Sequence, residues 1–369
     1  MSRQSELAEL SRVYDKGTLS NRNVVINGGF QIFQRATAAT AQTDGAYKTA
    51  DRWIGFISGG GAYTTQKSTG HLADTGHDTA LKMDVTTADT SLGTADYYSI
   101  VQRIEAQNLQ HFQYGTAAAK TITLSFWVRA TKTGTSCVTV AKNDSTQYNY
   151  VAEYTINASD TWEHKTITIE PNSDIKSASG AIVNDNGRGM QVIFILGYGS
   201  NYTGGTANAW NDSADFATTN QVNHMDSTSN DFYITGVQLE VGESATPFEH
   251  RSYGDELARC QRYYYRRTGD PDANYIPLAT AYLTTAIFAA ALHPVQMRAN
   301  PSVTISGNIR AIDGNTSSKI SSSASVTSLS RVDTLVWYTN ACFSSLTQYR
   351  PYFINGETSA GYMEVNAEL

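Results

Sequence analysis

Residues 231–266 read DFYITGVQLEVGESATPFEHRSYGDELARCQRYYYR. The first third alternates apolar and polar side chains, the period-two pattern of a half-buried strand. A turn containing Pro247 follows. The last third places Tyr253, Leu257, Cys260 and Tyr264 on one helical face behind Ser252-x-x-Asp255, a capping-box spacing. Arg259, Arg262, Arg266 and Arg267 crowd its C-terminal half, where the helix dipole favours cations. Gly269 and Pro271 then stop the helix. A β domain is expected to end here, with an amphipathic helix leading into a second unit.

Upstream, from Asn23 to about His250, the signals are short strands separated by Gly, Asn and Asp turns. Candidate strands are 24–26, 30–33, 97–104, 121–129, 138–140, 162–169, 191–196 and 232–239. The segment 121–129 alternates most cleanly, with Ile122, Leu124, Phe126 and Val128 on one face. Downstream, 276–282, 285–292, 302–305, 326–329, 335–337 and 361–365 form a second set. Many short strands with turn residues between them indicate a sandwich or jelly roll, and no strand alternates with a long helix as a parallel sheet would require. Near the start, Ser5 and Gly17 bracket a short helix whose Leu7, Leu10, Val13 and Tyr14 form one stripe. A helix that short must pack on something.

The chain has 369 residues, enough for two or three domains, and only 17% are charged. Its 22 tyrosines suit strands and wet, hydrogen-bonding surfaces. A net charge of −7 argues against a nucleic-acid binder, which would show a basic face. Cys137, Cys260 and Cys342 are far apart and odd in number, so reduced thiols are expected and not a disulfide framework. No signal peptide and no apolar run of membrane-spanning length is read, so synthesis in a cytoplasm is expected.

No Gly-x-Ser-x-Gly elbow and no Walker A loop occurs, and no local spacing marks a glycosidase carboxylate pair. The chain is therefore expected not to be an enzyme. His71-x-x-Asp74-x-x-His77-Asp78 has metal-like spacing, but it lies in a Gly/Asp/Thr-rich stretch and reads as a solvated loop. No cofactor or metal is expected. Asp51-Arg52-Trp53 reads as a core tryptophan anchored by an ion pair, and Phe126-Trp127 and Trp162 as core or rim. The stretch 197–211, GYGSNYTGGTANAWN, is different. Aromatic platforms beside adaptable amides suit sugars, whose faces stack on rings, so Tyr198, Tyr202, Trp210 and Asn211 are candidate glycan ligands. A loop packed on a neighbouring subunit is the alternative reading of the same residues.

Several phrases in fixed order resemble the structural proteins of tailed-bacteriophage appendages. Residues 21–35, NRNVVINGGFQIFQR, resemble the opening "NRNLIINGxFQxxQRGT" found in many of them. The quoted junction resembles their phrase "VQLE.G..ATPFE.RS...EL..CQRYY". Between these lie Ala50–Trp53, Gln102–Glu105, Thr123–Arg129 and Thr161–Thr166; beyond them lie His293–Pro301 and Ala367–Leu369. The first domain is also similar to carbohydrate-binding jelly rolls that open "NxxNGxFE" and close on "FYIDxVxL". In those modules an acidic residue and an Asp help hold calcium; here Gln31 and Thr235-Gly236 stand in their places.

The resemblance implies an all-β protein: an attachment helix (1–22), a carbohydrate-binding-module-like jelly-roll β-sandwich (23–250), a bridging helix (251–270) and a smaller C-terminal β-sandwich (271–369). It implies a virion structural protein, a tail fibre or surface appendage binding host glycan and made in the host cytoplasm. Capsid decoration or tail connection is the first alternative and a glycan-degrading tailspike the second. Expected partners are other virion proteins, host polysaccharide, and further copies of the chain, as in a fibre trimer. Leu7, Leu10, Val13, Tyr253, Leu257 and Tyr264 are the expected contact residues. No nucleic acid and no membrane insertion are expected.

Overall fold

The structure is a computed structural model that describes residues 21–70, 72, 75–212, 214–268, 276–314, 319–320, 326–340, 342–356 and 361–369. The expected N-terminal helix with Leu7, Leu10 and Val13 lies outside the described residues. The chain divides into two compact units, Met1–Tyr253 and Gly254–Leu369.

Unit 1 is a sandwich of two six-strand sheets. In chain order its strands are β1 (Ala38–Gln42), β2 (Trp53–Ser58), β3 (Ala62–Thr69), β4 (Thr79–Thr87), β5 (Tyr97–Glu105) and β6 (Ile122–Ala130). They continue with β7 (Gly134–Lys142), β8 (Tyr148–Ile156), β9 (Glu163–Ile169), β10 (Arg188–Tyr198), β11 (Ala209–Asn211) and β12 (Asp231–Val241). The first sheet runs β1-β3-β4-β12-β6-β9 and the second β11-β8-β7-β10-β5-β2. Between them lies one apolar core. Leu124, Phe126 and Val128 from β6 meet Val192, Phe194 and Leu196 from β10. Alternation along each strand sends the neighbouring residues outward.

The opening phrase is not a strand, although its apolar residues predict two. Residues 22–33 form no sheet ladder; isolated backbone bonds such as Val24 N to Leu239 O at 3.1 Å and Val237 N to Gly28 O at 3.0 Å hold them together with several side chains. Asn23 Oδ1 accepts from the backbone of Val25 and Leu239, and its amide donates to Val237 O. Gln102, buried on β5, accepts from Ile26 N at 2.8 Å and donates to Ile26 O at 2.7 Å. Asn27 Oδ1 accepts from Gln31 N and Ile32 N while its amide reaches Ile32 O and Asp51 O. Trp53 Nε1 donates to Asn27 O, so the tryptophan is anchored by a hydrogen bond. The nearby ion pair is Asp51 with Arg35, at 3.7 Å; Arg52 instead donates to Arg103 O.

The junction phrase closes over this opening. Glu240 accepts from Gln238, Thr246 N and Thr246 Oγ1. Glu249 N donates to Gln238 Oε1, and its carboxylate accepts from Arg22 N and Asn23 N. Arg251 donates to Val25 O, Asn23 O and Glu249. These side chains thus fold residues 243–251 back across β12 and onto residues 22–25.

Unit 2 opens with α1 (Tyr253–Gln261), then β13 (Tyr264–Thr268), β14 (Ile276–Leu283), β15 (Ala286–Leu292), β16 (Ser302–Ser306), β17 (Ile309–Ile312) and β18 (Lys319–Ile320). It ends with β19 (Val326–Ser328), β20 (Thr334–Thr339), β21 (Pro351–Gly356) and β22 (Tyr362–Asn366). A three-strand sheet, β13-β22-β16, and a seven-strand sheet, β18-β17-β21-β14-β15-β20-β19, enclose a second core around Tyr265, Trp337, Tyr352 and Val365. The all-β class holds for both units.

The bridging helix is shorter than expected. It ends at Gln261, and Tyr264–Thr268 is a strand paired with β22. Tyr264 is therefore buried in a sheet and does not share a helical face with Leu257. Three consecutive tyrosines and two arginines fit a pleated surface, where Arg266 lies 3.3 Å over the Tyr362 ring. Tyr253 is 61% exposed and sits at the unit boundary.

Two outcomes test this account. An ideal Cβ on Gly28 would lie 2.1 Å from Val237 O, so Gly28→Ala should cost roughly 3 kcal/mol, the upper end for overpacking, in urea unfolding. His224 is buried against Phe232 and Ser136. Burial first and Lys132 second push its pKa from the ordinary 6.5 down to about 4, against the pull of Asp226. The unfolded chain then binds the proton more tightly, so stability is complete above pH 6.5 and is lost as pH falls towards 4. The loss should reach roughly 3 kcal/mol at about 1.4 kcal/mol per pH unit. His224→Gln should make that part of the melting-temperature profile shallower, leaving the share of His77, whose pKa is also lowered to about 4.

Candidate functional site

The outward residues of the first sheet are largely occupied. Gln238 and Glu240 lie beneath residues 243–251, and Thr168 Oγ1 donates to Glu243 O. His77 packs on Phe248 at 4.6 Å and on His250 at 5.3 Å between ring centroids. It is 8% exposed, so the solvated-loop expectation fails at this position; His71 and Asp74 lie outside the described residues. Burial and His250 lower its pKa to about 4. Thr235 Oγ1, where a calcium-holding Asp would stand, donates to Thr79 O. Tyr233 lies between Arg129 at 4.5 Å and Lys82 at 5.6 Å, and those cations are paired with Asp160 and Asp231.

The outer face of the second sheet is built differently. Outward residues Ile54, Val101, Ile193 and Ile195 form an apolar floor. The chain after β10 covers part of it. Thr139 Oγ1 donates to Phe216 O, and Asn149 donates to the carbonyls of Asp212 and Asp215. What this cover leaves is a line of half-buried aromatic rings: Tyr97, Tyr202, Phe216, Phe56 and Tyr47. Tyr202 lies 5.9 Å from Tyr97, 5.7 Å from Tyr198 and 6.3 Å from Phe216. At the other end Arg103 lies over the Phe56 ring at 5.1 Å and Arg35 over the Tyr47 ring at 5.3 Å. Arg188 stands close enough to Arg103 that burial, and then the like charge, lower its pKa. Exposed ring edges and faces beside guanidinium donors can stack against the apolar face of a sugar and donate to its hydroxyls.

Of the four sequence candidates, only Tyr202 faces this line half-exposed. Tyr198 is 8% exposed, hydrogen bonded through its hydroxyl to Ser99 at 2.9 Å, and supports Tyr202 from below. Trp210 belongs to β11 and pairs with Tyr150, so it faces the core side. Its ring lies 5.5 Å from Tyr150 and 6.2 Å from Tyr114, and Nε1 donates to Glu170 O at 2.8 Å. Asn211 is spent on Thr206 and Ala209 within its own turn. The reading of 197–211 as one free loop overlooked a three-residue strand inside it. Tyr97, Phe56, Arg103 and Arg188 went unnoticed, although the alternation Tyr97, Ser99, Val101, Arg103 against Tyr98, Ile100, Gln102, Ile104 marks two faces of one strand.

Among the described residues no group of three or more His, Cys, Asp or Glu side chains could hold a metal ion, and no helix is long and apolar enough to cross a membrane.

No family model matches the sequence, and no curated protein matches it. Solved structures do align with part of the chain. A protein from Bacteroides thetaiotaomicron assigned as sugar binding aligns at TM-score 0.34 and 14% identity, over 60% of this chain and 100% of that one. The enzymatically active domain of tailspike protein 4 from bacteriophage CBA120 aligns at TM-score 0.29 and 10% identity, over 60% of this chain and 21% of that one. A family 61 carbohydrate-binding module in complex with β-1,4-galactotriose aligns at 0.29 and 11%, over 60% and 100%. Likeness at this level assigns no activity to the chain.

The two tryptophans differ in which way they face. Trp210→Ala should destabilise unit 1 by about 3 kcal/mol, the low end for a large aromatic, because it empties core-side volume and orphans Glu170 O. Trp127 points away from the core, beside His164 at 5.1 Å, although Phe126 next to it is fully buried. Trp127→Ala should cost about 1 kcal/mol. Guanidinium unfolding of the two variants measures the difference.

Proposed function

We propose that the chain is a structural subunit of a tailed-phage surface appendage, and that its first unit holds host-surface glycan on the outer face of the second sheet. One observation supports the binding reading above the rest. Five partly buried aromatic side chains remain on a sheet face whose floor is only partly covered, with arginines at one end. A monomer gains little by leaving so much aromatic surface at a half-covered face, whereas stacking rings are common anchors at recognition surfaces. The phage role is supported by the ordered sequence phrases. The opening and junction phrases meet in space and hold one another, so their joint presence has a structural reason.

The chain acts in this reading as a binder and not as a hydrolase, and it resides in the virion. A purely constructional role, as decoration or connector, is supported by Trp210 and Asn211, which are turned into the domain and offer nothing to a ligand.

The test is binding to a panel of purified bacterial capsular and O-antigen polysaccharides by affinity electrophoresis. Tyr97→Ala and Tyr202→Ala should each weaken retention roughly tenfold, about 1.4 kcal/mol. Trp127→Ala, on the other sheet, should leave retention unchanged. Folded Tyr97 and Tyr202 variants that bind as the wild type does would favour the constructional role. Release of reducing ends from a retained polysaccharide would instead make the chain a glycan-degrading spike.

A further inference from the structure

The aromatic line on the outer face of the second sheet has two unlike ends. At one end Tyr97, Tyr202 and Phe216 pack edge to face. At the other, Phe56 and Tyr47 lie beneath guanidiniums, Arg103 at 5.1 Å and Arg35 at 5.3 Å. Tyr97 and Arg103 occupy the same face of β5, six residues apart. At about 3.3 Å per residue that is roughly 20 Å, a span for a run of sugar residues and not for one.

The guanidiniums at the second end are not equally occupied. Arg35 pairs with buried Asp51 at 3.7 Å. Arg188, the first residue of β10, is exposed, and among the described residues it makes no hydrogen bond and no ion pair. Burial by its neighbours, and then the like charge of Arg103, lower its pKa, and no carboxylate acts on it. Glu105 stands opposite Arg188 in the ladder, but it is fully buried and accepts from Gln107 Nε2 at 2.6 Å. Asp185 Oδ1 accepts from Gly187 N. The first sheet treats its outward cations differently: Arg129 is paired with Asp160 at 2.7 Å and Lys82 with Asp231 at 2.9 Å. A chain with 34 acidic residues against 27 basic ones has carboxylates in excess, yet Arg188 is set beside another arginine. Adjacent guanidiniums repel, and an anion between them offsets that cost. Their planar fork matches the oxygens of a carboxylate or a phosphate.

We propose that the glycan held on this face is acidic, with sugar rings stacked on Tyr97 and Tyr202 and a carboxylate or phosphate substituent meeting Arg188 and Arg103. The inference rests on the glycan-binding reading above and narrows it. A neutral polysaccharide would leave Arg188 without a counter-charge, and a free anion would leave the tyrosine end of the line uncovered.

The test is affinity electrophoresis of the full chain against uronate-bearing, phosphate-bearing and neutral capsular polysaccharides. Each retained uronate polymer is run again after its carboxyls are reduced to primary alcohols. Acidic polymers should be retained, and the class retained identifies the anion. Carboxyl reduction should weaken retention of a uronate polymer about tenfold, as loss of a charge-assisted pair does. Arg188→Gln should lose about the same tenfold on any retained acidic polymer and nothing on the reduced one. Arg188→Lys, which keeps the charge without the fork, should lose less. Tyr97→Ala should weaken the native and reduced forms alike. Arg103→Gln should repeat the Arg188→Gln pattern and decides the matter if the Arg188 variants do not fold. Retention confined to neutral polymers overturns the inference and leaves the glycan site standing. So does a reduced polymer bound as tightly as its native form, or a folded Arg188→Gln variant that holds an acidic polymer as the wild type does. A wild type retained by none of the polymers is instead the failure of the glycan reading, and the inference falls with it.

Discussion

The constraint on which unit 1 depends is the need to satisfy the backbone of a chain segment that belongs to neither sheet. Residues 23–32 run into the sandwich, where unpaired amides and carbonyls are costly. Asn23 ties the segment to β12 in the first sheet, and Gln102 ties it to β5 in the second. The same stretch contributes Phe30 and Ile32, both fully buried. Phe30 lies 4.9 Å from Trp53, which continues to Phe194 and Phe126 across the core. One strand-free segment therefore links the two layers, through amide side chains that mimic a neighbouring strand's peptide groups and through backbone bonds to Leu239 and Val237.

That arrangement explains why the opening and junction phrases belong together. Glu249 and Arg251 bond to Asn23, Val25 and the backbone of Arg22, more than 220 residues away in sequence. The carboxylate is shared between backbone amides and a guanidinium, the charge-assisted kind of hydrogen bond that contributes about 1.5–3 kcal/mol. The pKa of Glu249 is accordingly held below the ordinary carboxylate value, by the Asn23 amide and by Arg251, against the effect of burial. A sequence phrase of this sort reads as a recognition motif when it is met alone. In the fold it is a clasp.

Strands whose two faces differ were legible. Residues 122–130 alternate because one side meets the core, while 190–196 and 232–239 were legible as apolar, β-prone runs bounded by turn residues. The strands Trp53–Ser58, Tyr148–Ile156 and Pro351–Gly356 were not legible, since polar or glycine residues interrupt their pattern. The opening segment misled in the opposite direction: it is apolar enough for a strand, but it meets β12 by two isolated backbone bonds and otherwise bonds to side chains, and no period records that. Tyr264–Thr268 carried helical spacing only by continuation from the helix before it, and pairing with β22 overrode it. Of the aromatic residues in 197–211, Tyr202 joins the half-buried rings on the outer face of the second sheet, whereas Trp210 faces the core and the remaining rings come from other stretches of chain. Which side of a strand a ring occupies depends on register, and β11 is three residues long, too short for register to be read.

The outward faces of the sheets differ in a way that composition alone conceals. In unit 1 the first sheet's face is filled by the clasp and by a lattice of Lys, Arg and Asp around Tyr233. The second sheet's face is closed at one side and lined with aromatic rings and guanidiniums at the other. Rings and donors together suit a ligand that is amphipathic over a few ångströms, as a pyranose is. The outward face of the seven-strand sheet carries leucines and phenylalanines with Thr280, Tyr338 and Arg310 among them, so it is the more apolar of the two faces. The first kind of face suits a soluble, hydroxylated ligand that must come and go. Carrying the two on separate compact units allows each to change without disturbing the other, because the core of unit 1 and the core of unit 2 are built from different strands.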